Sequence, residues 1–203
     1  MRSALLVAAA SMLPICAIAQ ERSALTERVW YDGDRREVVW MATDEVAAVL
    51  LPGASAPLVI ESAEQKLRQI EPAARLVKRT STAVFFEIAD GHDVATHQAA
   101  LRDAAGVAFA SPVFYPDPQK SNAAMVLTGE VLVGFSRRLE TPAIETFAKR
   151  FGVTVLRELR GVPNVFVMDA HRAADLLTLA NTMRSAPDVA LAMPNWVKAV
   201  TTR

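Results

Sequence analysis

The sequence predicts an α+β protein of two tandem units. Each unit has the element order β-α-β-β-α-β, an antiparallel sheet and helices on one sheet face. Three observations predict it. The run Val107-Ala108-Phe109-Ala110-Ser111-Pro112-Val113-Phe114 is matched, 82 residues on, by Val189-Ala190-Leu191-Ala192-Met193-Pro194-Asn195-Trp196. Both are small apolar runs closed by x-Pro-x-aromatic. The elements upstream of each copy recur in the same order, and such a repeat governs any fold assignment. Finally, Pro116-Asp117-Pro118-Gln119-Lys120-Ser121-Asn122 separates the copies with two prolines and polar residues, the composition of a boundary.

The second copy reads more clearly. Residues 130–135 are rich in Val, Leu and Phe and predict a strand. Thr141-Pro142 opens a helix, with Thr as a cap and Pro at the first helical position. Ile144, Phe147, Ala148 and Phe151 share one helical face, and Gly152 ends it. A strand at 153–159, a turn at Gly161-Val162-Pro163-Asn164 and a strand at 165–168 follow. A helix over 173–185 carries Leu176, Leu177, Ala180 and Met183 on one face. Pro187-Asp188 breaks it before a strand at 189–193. This order is the split βαβ, or ferredoxin-like, pattern.

The first copy, about residues 35–115, starts more loosely. Residues 38–40 and 45–51 read as a hairpin or two short strands, and 62–70 as a helix with a Ser-x-Glu start. Strands at 75–80 and 83–88 and a helix at 94–104 complete the match. Asp32-Gly33-Asp34 opens like a calcium loop, but Arg36 and Thr43 stand where ligands are required, so a tight turn is the better reading.

The first nineteen residues stand apart. Met1-Arg2-Ser3 is short and basic, residues 4–18 are almost all apolar, and Ala17-Ile18-Ala19 supplies a small-x-small cleavage pattern. These features predict a secretory signal. About 15 apolar residues interrupted by Pro14 fall short of the roughly 20 of a spanning helix. A lipoprotein signal, Leu13-Pro14-Ile15-Cys16, is disfavoured by bulky Ile15. The expected divisions are 1–19 signal, 20–115 first repeat, 116–128 linker and 129–203 second repeat with tail. Cleavage also removes Cys16, the only cysteine, which suits an oxidising, periplasmic or extracellular compartment.

Composition narrows the function classes. The 203 residues carry 22 basic and 22 acidic groups and 52% apolar residues. A neutral chain with no basic run argues against nucleic acid as a partner, and after signal cleavage no segment predicts a membrane partner. Neither a cofactor nor a metal is expected. His92 and His97 have the wrong spacing for one helical face, and with His171 they read as solvated loop or helix-end residues. Paired acids such as Glu61 and Glu64 fall on a solvent face. The strands at 130–135 and 165–168 are apolar on both parities, whereas two helices cover one face only. The other face is therefore either a partner site or covered by the first repeat.

The second copy resembles a known family. Glu130-Val131-Leu132-Val133-Gly134-Phe135, then a helix, Gly152-Val153, Pro163-Asn164-Val165-Phe166-Val167 and Ala190-Leu191-Ala192-Met193-Pro194-Asn195-Trp196 together look like the inhibitory pro-region of subtilisin-like serine peptidases, in its fervidolysin-type variant. Trp30-Tyr31-Asp32-Gly33 and Ser111-Pro112-Val113-Phe114-Tyr115 are similar to what precedes that region in some bacterial subtilases. The resemblance implies a secreted inhibitor or folding chaperone whose partner is a subtilisin-like serine peptidase. Its open sheet face would lie on the enzyme. The segment Lys198, Ala199, Val200, Thr201, Thr202 and Arg203 would run extended in the substrate cleft, positioned by Pro194, Asn195 and Trp196. The sequence has no His-Gly-Thr-His or Gly-Thr-Ser motif, so no catalysis is expected. That leaves a free-standing inhibitor or part of a truncated peptidase. The alternative is an exported binding or adaptor module with no peptidase partner, since one fold hosts many functions.

The exported chain is expected to begin at Gln20. Intact-mass measurement checks this, and a retained leader or a lipid on Cys16 contradicts it.

Overall fold

The computed structural model describes residues 25–89, 93–120 and 123–199. The expected signal, His92 and residues 200–203 lie outside them. Among the described residues the chain is α+β, with four helices and a nine-stranded sheet. The elements are β1 (Leu25–Asp32), β2 (Arg35–Leu50), α1 (Ala56–Arg68), β3 (Arg75–Arg79), β4 (Ala83–Glu87), α2 (Val94–Arg102) and β5 (Val107–Tyr115), then β6 (Met125–Phe135), α3 (Thr141–Arg150), β7 (Thr154–Glu158), β8 (Val165–Asp169), α4 (Leu176–Arg184) and β9 (Val189–Lys198).

The sheet runs β3-β4-β2-β5-β6-β8-β7, with β1 also on β2 and β9 also on β6. The pairs are all antiparallel. The repeat is visible rung by rung. Val46 pairs with Phe86 and Pro112, while Val131 pairs with Met168 and Pro194. The two x-Pro-x-aromatic runs therefore occupy the same place in their ladders. β5 and β6 join the halves through Val113–Val126 and Phe114–Met125. Beside that joint, the buried Ser111 hydroxyl accepts the Leu127 N–H at 2.9 Å and donates to the Pro112 carbonyl at 2.6 Å.

Several boundaries differ from the sequence reading, each for a local reason. Ser55 holds the N-cap position of α1 without a side-chain cap bond, and Pro57 sits in its first turn, where a missing N–H costs nothing, so the helix starts before residue 62. Residues 35–50 form one bent strand because the β1 hairpin pairs with its first half, and the register shifts between Met41 and Val46. The hairpin turns at Gly33, φ +59°, as the tight-turn reading expects. β6 begins at Met125, inside the expected linker, because Met125 and Val126 pair with both β5 and β9 and Leu127 pairs with β9. Glu140, not Thr141, is the N-cap of α3, and no side-chain cap bond forms there. α4 starts at Leu176, because the Asp175 carboxylate accepts the Thr178 N–H. The end of α3 follows the expectation. Gly152, φ +68°, donates to the Lys149 carbonyl, and Val153 donates to Ala148. These two bonds make the left-handed closure that glycine favours.

Alternate residues of β2 enter different cores. Val46 and Ala48 join Val84, Phe86 and Ala110 against Val59, Ala63, Leu67 and Leu101 of α1 and α2. Ala47 and Val49, with Ala83, Phe85 and Phe109, belong to a larger cluster that includes the second half's helix-side core, built on Val131, Val133, Phe135, Ile144, Ala148 and Leu177. Both faces of the first half's sheet are thus buried. The β1 hairpin adds a clasp over α4. Asn181 donates to the Val29 carbonyl at 2.9 Å, Arg184 donates to the Gly33 carbonyl at 2.8 Å, and Arg28 pairs with Asp175.

Gly129, φ +87°, interrupts β6 where the halves meet. A Cβ there would stand 2.7 Å from the Phe109 ring and 2.8 Å from the His171 ring. Gly129→Ala is expected to lower stability by about 2–3 kcal/mol, combining backbone strain and overpacking, as read by urea unfolding.

Candidate functional site

The side of the second half's sheet that faces away from its helices is the candidate site. Pairing puts Leu132, Val167 and Met193 on one rung of that side, and Gly134, Val165 and Leu191 on the next. Val167 is fully buried, whereas Leu132, Leu191 and Met193 are half-buried. None of these residues belongs to either core cluster. The set exists because β6 and β8 are apolar at both parities, while α3 and α4 cover only one.

The edge strand completes it. The β7–β8 register shifts between Val155 and Arg157, so Val155 pairs with Met168 and Arg157 with Val167. An unshifted strand would return Arg157 to the helix side with Val155. The bulge moves it to the open side and leaves Leu156 50% exposed. Arg157 is exposed and makes no ion pair or hydrogen bond among the described residues. The first half carries the same device. β3–β4 shifts between Leu76 and Lys78, Val77 is 47% exposed, and Lys78 pairs with Phe85. There the cation is used: Lys78 Nζ donates to the Ala199 carbonyl at 3.0 Å and lies 5.8 Å from the centre of the Phe85 ring. The sequence reading missed both cations. The signal was present as Leu76-Val77-Lys78 against Val155-Leu156-Arg157, two apolar residues and a base at matching places.

The expected tail residues do not gather in one exposed segment. Pro194 is buried opposite Val131. The strand expected over 189–193 runs on past Pro194 to Lys198, so its end needs correction. The β6–β9 register shifts after that rung and resumes at Leu127–Trp196, continuing to Met125–Lys198. The bulge around Gly129 absorbs the proline, and the ladder re-forms beyond it. Asn195 donates to Glu130 Oε2 at 2.7 Å. Trp196 is wedged edge-on against Trp30 and Phe114, with ring centres 5.8 and 5.2 Å apart. The indole N–H groups of Trp30 and Trp196 are buried without an acceptor among the described residues. Ala199 is buried, and its N–H donates to the Ala124 carbonyl at 2.7 Å. Val200, Thr201, Thr202 and Arg203 lie outside the described residues.

The expectation for one histidine also needs correction. His97 is buried, not solvated. Its Nδ1 is 3.0 Å from the Asp93 carbonyl, which can only accept, so Nδ1 carries a hydrogen. Its Nε2 is 2.7 Å from Glu71 Oε2, so one proton lies between those atoms. The other Glu71 oxygen accepts the Ala89 N–H at 2.5 Å. This pair fastens α2 to the chain after α1. His171 stacks edge-on against Phe109 and contacts Asp169. Among the described residues no three His, Cys, Asp or Glu side chains are grouped to hold a metal ion, and no helix is long and apolar enough to cross a membrane.

Comparison of the chain with protein-family models, with curated proteins and with solved structures gives no match in any of the three.

Asp175 links the β1 clasp to α4. Burial pushes its carboxyl up, but the Thr178 N–H and hydroxyl and the Arg28 guanidinium outweigh that and hold it below the usual range. A carboxyl lowered in the folded state stabilises it above the unfolded value, near 3.9, and that stabilisation is lost as pH falls through the folded value. Asp175→Asn is expected to lower stability at pH 7 and to reduce the loss of stability between pH 4 and pH 2, measured by denaturant midpoints across that range.

Proposed function

We propose that each half is a ferredoxin-like unit and that the chain is an exported inhibitor or folding chaperone of a subtilisin-like serine peptidase, itself without catalysis. The observation that carries this reading is the second half's open sheet side: an apolar set outside both cores, edged by exposed Leu156 and unpaired Arg157. Apolar surface of that kind marks a partner interface. An exposed cation with no internal partner is available to the partner's carbonyls or carboxylates. The order of elements, twice β-α-β-β-α-β with the first strand between the third and fourth, supports the unit assignment.

A second reading, a binding module without a peptidase partner, draws on a cavity of about 210 Å³ on the helix side. Met41, Phe109, Phe114 and Leu127 line it, with Arg28 and Arg102 among its polar groups. Saturable binding of a small molecule there, with no effect on any subtilase, would favour it.

The leading reading is tested with protein beginning at Gln20, a purified bacterial subtilisin and a fluorogenic peptide. Inhibition is expected. Leu156→Asp and Arg157→Ala, both at exposed positions, are expected to weaken it at least tenfold in total, since interface anchors are worth more than about 1 kcal/mol each, with unchanged circular dichroism. An inert wild-type protein sinks the reading.

A further inference from the structure

The cavity shared by the two halves lies where two ladders break. The β2–β5 register shifts between Met41 and Val46, and the β6–β9 register between Leu127 and Val131. Met41 and Leu127 flank those breaks and, with Phe109 and Phe114, supply the cavity's apolar wall. Residues of α2 in the first half and of the start of α4 in the second also line it, so neither half makes the site alone.

Its polar groups are in unequal states. The Asp93 carboxylate accepts the Ala95 N–H at 3.0 Å and the Thr96 hydroxyl at 2.9 Å, while Asp175 is held by Thr178 and Arg28. Those charges are used inside the protein. Two groups are not. Gln98 is 8% exposed, and its Nε2 donates to the Ala110 carbonyl at 3.0 Å, which fixes the orientation of the amide because a carbonyl only accepts. Its Oε1 receives no donor among the described residues and, unlike the sealed Asn181 Oδ1, is not shut off from solvent. One helical turn on, about 6 Å along the axis, exposed Arg102 makes no ion pair or hydrogen bond among the described residues.

We propose that this cavity binds a small monocarboxylic acid with a ring-sized apolar body and a neutral hydrogen-bond donor at the end away from the acid. The body lies against Met41, Phe109, Phe114 and Leu127, the donor reaches Gln98 Oε1, and the carboxylate meets the Arg102 guanidinium. Desolvation sets that polarity: a neutral donor loses little when it is buried against an acceptor, whereas a charge belongs at the exposed end. A guanidinium fits carboxylate and phosphate alike, but Asp93 and Asp175 repel the second charge of a phosphate, so the acid is a monoanion. At about 210 Å³ the cavity falls below the roughly 300–1,000 Å³ of drug-sized pockets, so the ligand is one ring in size. The inference rests on the cavity of the second reading and does not need the absence of a peptidase partner.

Calorimetric titration of protein beginning at Gln20, with no peptidase present, tests it. p-Hydroxyphenylacetate is expected to bind saturably, one molecule per chain. Phenylacetate, which lacks the donor, and p-hydroxyphenylethanol, which lacks the charge, are each expected to bind at least threefold less well. Arg102→Met is expected to weaken p-hydroxyphenylacetate about fivefold, as for an exposed charge pair, and to leave p-hydroxyphenylethanol unchanged. Ala95 is exposed and lines the cavity, so Ala95→Phe sets a ring in its mouth and is expected to abolish binding. Circular dichroism of both variants should not change, and the comparison of ligands needs no variant at all. No saturable binding by the wild-type protein at millimolar ligand overturns the proposal. Binding untouched by Ala95→Phe places the ligand elsewhere and overturns it as well. An equal effect of Arg102→Met on both hydroxylated ligands overturns recognition of the carboxylate. Inhibition of subtilisin, measured separately, decides between the two functional readings whatever the titration gives.

Discussion

The arrangement of this protein depends on one constraint: β2 is apolar on both sides. Val46 and Ala48 point one way, Ala47 and Val49 the other, and none is more than 7% exposed. Two helices can cover only one side of the sheet they belong to. The other side must be covered by something else, and here the second half contributes to that cover. Hence Phe85 and Phe109 share a core cluster with Val131, Leu177 and Ala192. The β5–β6 ladder alone has two rungs, too few to fix the relation of the halves. Burial of β2's second side supplies the rest, and each fastening between the halves follows from it. Gly129 lets Phe109 approach β6, Ser111 satisfies the Leu127 N–H in a buried joint, and Lys78 closes over the end of β9.

The same constraint is met differently in the second half. β6 and β8 are also apolar on both sides, and α3 and α4 again take one. The side they leave, around Leu132, Val167 and Met193, joins neither core cluster. In this chain the halves do not cover each other's spare side face to face. The first copy is covered by the second, and the second is left with an apolar side of its own. The β1 hairpin does not serve there, because its contacts run to α4 and to Trp196, on the helix side.

Much of this was legible in the sequence. The recurring order of elements, the turn at Gly33 and the closing glycine at Gly152 all follow from local chemistry, and local chemistry determines local structure. The boundaries that went wrong depend on distant residues. Residues 125–127 become strand only because β5 and β9 flank them. Residues 41–46 bend only because β1 and β4 compete for one edge of β2. His97 reads as a surface residue from its neighbours in sequence, and only the fold brings Glu71 and the Asp93 carbonyl to its two nitrogens. The candidate site divides in the same way. Its apolar residues were visible as strands apolar at both parities, but whether the first half covers them could not be read without the sheet order.

The bulges show how a small irregularity decides between these outcomes. In an even ladder, Lys78 and Arg157 would each lie on the helix side of its sheet, where a charge would have to be buried against apolar cores. One extra residue per edge strand moves the cation to the far side and turns the intervening Val77 or Leu156 outward. In the first half the far side holds a backbone carbonyl, so the cation gains a partner and the halves gain one more polar fastening. In the second half the identical turn of the chain delivers Arg157 to a side where, among the described residues, no carbonyl receives it. The device is duplicated but its acceptor is not, because a single chain has only one β9. In the proposed reading, that exposed charge at the margin of the apolar side is what a partner's carbonyl or carboxylate would meet.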